Sequence, residues 1–115
     1  MKFDRFEDIV GWQKSKALTI DIYKQFDRCK DFSFRDQIWR ASVPIMNNIA
    51  EGYERQSNAE FKRFLFIAKG SAAEVRSMLI LAKELEYISV DKCDELLIKS
   101  EEIAKILSGL IKTLN

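Results

Sequence analysis

The sequence predicts an all-α fold: one domain over residues 1–115, an antiparallel up-down-up-down four-helix bundle. Three observations carry that reading. Phe61, Leu65, Ala68, Ala72, Val75, Leu79 and Ala82 recur at steps of four and three, the seven-residue repeat of a bundle seam. The connections between periodic stretches are short, which favours antiparallel neighbours. No stretch alternates apolar and polar residues as a half-buried strand does. Apolar residues make up 47% and charged residues 32%, the balance of a globular domain with a modest core.

Helix one is expected to start near Phe6–Asp8 and to run to about Cys29. Asp4, Glu7 and Asp8 fall in or near its first turn, where the helix dipole favours negative charge. Its apolar set, from Phe6 through Val10, Trp12, Ile20 and Tyr23 to Phe26, is wider than one stripe. Gly11 is unusual inside a helix; it either permits a close crossing or is merely tolerated at about 1 kcal/mol. Lys30–Phe34 reads as a loop, with Ser33 a candidate cap for helix two.

Helix two is expected to continue to Arg55 or Gln56, with Ile38, Ala41, Ile45, Ile49 and Gly52 on one face. Pro44 sits inside that run. It cannot donate to the carbonyl of Arg40, and its ring crowds the turn, at about 3 kcal/mol in an ordinary helix. The sequence therefore predicts either a kink near Arg40–Pro44 or a break, with Pro44 restarting a helix in its first turn. Ser57 followed by Glu60 fits a capping box that opens helix three, expected over Asn58–Glu86. Within it, Phe64, Leu65, Phe66, Ile67 and Ala68 cover the whole circumference, so this belt is expected to be buried all round, partly by another subunit. Tyr87–Ser89 reads as a turn, with Ser89 capping helix four. There Cys93, Leu96, Ser100, Ile103, Leu107, Leu110 and Leu114 step by three and four.

The central stretch carries a specific pattern: Gln37, Arg40 and Ala41; then Asn48, Ile49, Ala50, Glu51, Gly52, Arg55 and Ser57; then Phe64, Leu65, Ala68, Gly70 and Ser71. Trp12–Gln13 and Glu86–Tyr87–Ile88 extend it. On these residues the chain resembles, over nearly its whole length, the four-helix bundle family encoded within intervening sequences of bacterial large-subunit ribosomal RNA genes. One departure is Tyr53–Glu54, where the family often has a glycine before the arginine. The family is similar to the accessory variability determinant of diversity-generating retroelements. That relative forms a pentameric ring and works with a reverse transcriptase and its RNA. The resemblance therefore implies a homo-oligomer, a pentamer by that analogy, with RNA or a reverse transcriptase–RNA complex as a partner. It marks Gln37, Arg40, Asn48, Glu51, Gly52, Arg55, Gly70 and Ser71 as motif residues, for which a structural role is expected.

The sequence argues against an enzyme. It has no histidine, so it lacks the commonest general base and the usual partner of a serine or cysteine nucleophile. The Glu-x-x-His pairs of a di-iron bundle cannot be built. Gly70–Ser71 is mid-helix and not a phosphate loop between strand and helix. Glu51 and Glu74 form a candidate metal or acid site, against which stands a purely structural role. Glu51 precedes Arg55 by four residues, the favourable order for an intrahelical ion pair. Asn48 is either a ligand donor or a buried amide that fixes helix register. No cofactor, metal or small-molecule substrate is expected. Cys29 and Cys93 have no metal-ligand or redox spacing. With no secretory signal in the opening residues and no run near the ~20 apolar residues of a membrane span, a cytoplasmic location with reduced thiols is expected.

The net charge is only +1, which is no general nucleic-acid signature. The distribution is uneven, because residues 28–76 hold nine basic and six acidic side chains. Lys62, Lys69 and Arg76 recur every seven residues along helix three, and Arg55 and Arg63 can extend the row. This is a candidate phosphate-binding stripe, set against the plainer reading of a solvated helix face. Two functions from different classes follow. One is an oligomer that associates with RNA or a protein–RNA complex through the stripe. The other is a protein-binding scaffold with no nucleic-acid affinity.

Overall fold

The computed structural model describes residues 3–114, and among these it holds four α-helices and no strand. A 3₁₀ turn, Phe6–Asp8, precedes α1 (Val10–Gln25), α2 (Phe32–Glu54), α3 (Asn58–Glu84) and α4 (Val90–Lys112). α1 and α3 each pack on α2 and on α4, and the diagonal helices are not backbone neighbours. Tyr23 lies on Trp39 and Thr19 on Ser42, so α1 and α2 are antiparallel. Lys14 meets Glu102 and Lys99 meets Asp21, which sets α4 antiparallel to α1. The rod measures 43 × 20 × 19 Å, which suits helices of about 34 Å at 1.5 Å per residue.

The expected seams form the core. All seven seam residues of α3 are fully buried, as are Ile38, Ile45 and Ile49 of α2 and Cys93, Leu96 and Leu107 of α4. Ser57 and Ser89 cap α3 and α4 by accepting from the backbone N–H groups of Glu60 and Lys92. Gly11 is buried, and an added Cβ would stand 3.3 Å from Leu107, so it marks a close approach of α1 to α4.

Several boundaries differ from expectation. Helix one is shorter at both ends: residues 6–8 form the 3₁₀ turn, and the α-helix closes at Gln25 rather than near Cys29. The cap of α2 is Asp31, not Ser33; its carboxylate accepts from the Phe34 N–H at 3.1 Å. Phe32–Phe34 is consequently helix and not loop. Pro44 does not break α2, which runs unbroken from Phe32 to Glu54. Packing offsets the hydrogen bond that proline removes. Nearby carbonyls gain side-chain donors instead, from Thr19 to Ser42 O (3.2 Å) and from Asn48 to Pro44 O (2.8 Å).

Helix three ends at Glu84, two residues early. Glu86 adopts φ 59°, and the Tyr87 and Glu86 N–H groups donate to Ala82 O and Lys83 O. That is a Schellman closure with glutamate where glycine is usual. The belt on α3 also differs: Phe64, Leu65 and Ala68 are buried, but Phe66 is 53% and Ile67 42% exposed. The chain's own bundle does not cover them.

Candidate nucleic-acid interface

The motif residues at the end of α2 build the α2–α3 corner. A Cβ added at Gly52 would lie 2.5 Å from the Phe64 Cβ, so only glycine lets the helices approach this closely. Arg55 donates to Glu51 at 2.8 Å, the expected intrahelical pair, and lies 3.8 Å from Glu60. Arg63 donates to Glu60 at 2.9 Å. Both guanidinium groups cover the Phe64 ring, at 5.0 and 4.5 Å from its centroid. The hydrogen bond from Arg63 holds the Glu60 carboxyl below its usual range and pushes the Arg63 guanidinium up.

The predicted stripe is therefore held largely within the chain's own contacts. Arg55 and Arg63 face carboxylates at the corner. Arg76 faces Glu101 of α4 at 3.6 Å, and the Lys69 ammonium sits 5.9 Å over the Phe66 ring. Lys62 is half-buried on the same helix.

The remaining motif residues part company. Asn48 serves its own helix through Pro44 O rather than reaching a neighbouring helix. Gln37, Arg40 and Ser71 line a groove of about 530 Å³ between α2 and α3, together with Pro44, Asp36 and Glu74. Gly70 faces open space beside it. The two carboxylates read together from the sequence are separated, Glu51 at the corner and Glu74 in the groove. Among the described residues, no group of three or more metal-ligating side chains comes together.

A second feature escaped the sequence reading. At the opposite end of α2, Tyr23 stacks on Trp39 with centroids 4.6 Å apart and planes 8° from parallel. The Arg35 guanidinium lies 4.7 Å from the Trp39 ring and 4.8 Å from the Phe32 ring. Phe32 is 61% and Tyr23 38% exposed. Lys24, Arg28 and Lys30 follow Tyr23 at the end of α1 and in the link to Phe32, whereas Arg40 lines the α2–α3 groove; none of the four makes an ion pair or side-chain hydrogen bond among the described residues. The signal in the sequence was Phe32, Arg35 and Trp39 at i, i+3 and i+7, one helical face. Reading Lys30–Phe34 as loop hid it.

Residues 7–109 match the 23S rRNA-intervening sequence protein family. The fold is also similar to a crystal structure of a protein with unknown function from the S23 ribosomal protein family of Bacteroides thetaiotaomicron. The TM-score is 0.84 at 34% identity, over 90% of this chain and 99% of that one. No curated protein matches the chain.

Proposed function

The chain belongs to the 23S rRNA-intervening sequence protein family, and from that premise we propose a non-enzymatic, cytoplasmic homo-oligomer that associates with RNA or a protein–RNA complex. The observation that carries the oligomer is the outer face of α3. Phe66, Ile67, Ile80, Leu81 and Leu85 are all exposed there. Phe66, Gly70, Ala73, Ser77 and Ile80 step by four and three along it, with small exposed residues between large ones. This second seam lies opposite the core seam, and a helix apolar on both faces calls for a second partner. A second copy of the chain supplies one, and a pentamer is the state the resemblance implies.

Assembly also supports RNA association, because a ring repeats each weakly basic surface and adds avidity. Light scattering at micromolar concentration tests the assembly, and a monomeric wild type would overturn it. Phe66→Asp should dissociate the oligomer while leaving helicity intact, since Phe66 stands outside its own core. Steeply salt-dependent binding of a long RNA tests the partner. The scaffold reading has one observation in its favour: Arg55, Arg63 and Arg76 all face carboxylates of their own chain. RNA binding that survives Lys62→Glu with Lys69→Glu would remove the stripe from the RNA reading.

A further inference from the structure

The column of Tyr23, Trp39, Arg35 and Phe32 is partly open to water, and Lys24, Arg28 and Lys30, beside it in the chain, are cations that the fold does not pair. We propose that it is a stacking platform for single-stranded RNA. Bases lie on the open faces of Phe32 and Tyr23, and the phosphates run along Lys24, Arg28 and Lys30. The proposal rests on the RNA-associating reading above and gives it a site.

Three features support it together. An exposed phenylalanine at the first position of a helix contributes little to its own core, but its ring face suits any base, and stacking of this kind tolerates sequence. The Arg35 guanidinium lies over two rings, and cation–π attraction of this kind contributes to base stacks. The charges are available. Residues 24–40 hold five basic side chains against three acidic ones. Of the acidic ones, Asp36 is bound by Arg35 and Asp31 by the Tyr87 hydroxyl. The bond to a neutral hydroxyl leaves the Asp31 charge in place, so Asp27 and Asp31 both oppose a phosphate, against four cations without an ion pair. A phosphate at the stripe must compete with existing ion pairs, whereas one here releases counterions without that loss.

A protein partner would also find aromatic and arginine anchors here. It would, however, have to supply a matching carboxylate for each of three cations, whereas a nucleic-acid strand brings an anion with every nucleotide. Duplex RNA keeps its base faces inside the helix and cannot use the rings.

The test titrates wild-type protein at low salt with a labelled single strand of about twelve nucleotides, within the usual span of such sites, and with a duplex of equal length. The single strand should bind more tightly. Tyr23→Ala with Phe32→Ala should weaken it about tenfold, the loss that removing a stacked ring brings. Lys24→Glu with Arg28→Glu, which leaves every ring in place, should also weaken it and reduce the salt slope by about one to two. Circular dichroism and sedimentation on the same samples report folding and assembly. Wild-type binding unchanged by either pair of substitutions overturns the platform and leaves RNA association standing. No wild-type binding at low salt overturns both. Dissociation of the oligomer by Tyr23→Ala with Phe32→Ala, at unchanged RNA affinity, makes the column a protein interface and overturns the proposal.

Discussion

Arginine covers an aromatic ring at both ends of α2, with opposite consequences. At the C-terminal end, Arg55 and Arg63 lie over Phe64, whose ring is only 6% exposed, and Glu51 and Glu60 hold both guanidinium groups. At the N-terminal end, Arg35 lies over Phe32 and Trp39 and pairs with Asp36, but the rings stay partly open, and Lys24, Arg28, Lys30 and Arg40 make no ion pair among the described residues. The difference follows from the connections. Between α2 and α3 the chain reverses in three residues with Gly52 against Phe64, so every polar group there must find a partner close by. Between α1 and α2 the link is longer, and although Phe26 is buried in the core, Asp27, Arg28 and Lys30 are exposed. The same residue types are structural where helices are pressed together and available where they are not.

Breaking the tight end should have the largest effect. Gly52→Ala adds a Cβ that meets a backbone-proximal carbon at 2.5 Å, which no flexible side-chain tip can relieve. Overpacking of this kind costs 1–3 kcal/mol, partly offset by alanine's better helix propensity, so a net loss of about 2 kcal/mol is expected in chemical denaturation. A neutral result would mean that the corner is not held by close approach.

A smaller effect, dependent on pH, is expected at the open end. Asp31 caps α2 and accepts from the Tyr87 hydroxyl at 2.6 Å. The Tyr87 hydrogen bond and then the Phe34 N–H lower its folded-state pKa below 3.8. A lowered carboxyl pKa contributes stability that is present above the unfolded value and lost as pH falls through the folded one. Urea midpoints should therefore drop below about pH 4. Asp31→Asn keeps a competent cap and should flatten that acid limb. An unchanged limb would place the acid sensitivity elsewhere.

The smallest effect sharpens the contrast most. Lys24→Glu with Arg28→Glu should change unfolding free energy by less than about 0.5 kcal/mol, as expected for surface positions without partners. A clear destabilisation would show that these charges serve the fold after all, and the two ends of α2 would then differ in degree only.

Much of the tight end was legible. Ser57 caps α3, Glu51 pairs with Arg55, and Ile45, Ile49 and Gly52 share a buried face. Each of these depends on residues within about four positions of one another, the range that helix geometry fixes. The open end was not. Asp31 caps α2 through the Phe34 N–H, and its second oxygen meets Tyr87, far away in sequence. Tyr23 meets Trp39 only because α1 and α2 pair in that register.

The sequence by itself determined the number of helices, the seams that face inward and the polar groups that satisfy one another along a single helix. Periodicity places residues on a common face, and the apolar faces of a bundle can only turn toward each other. The tertiary structure alone decided what each remaining face meets. It left Phe66 and Ile67 outside the core, set Arg76 against Glu101, and gathered Tyr23, Trp39, Arg35 and Phe32 into one column. Those outcomes depend on the rotation and register of one helix against another, which packing fixes and local spacing does not.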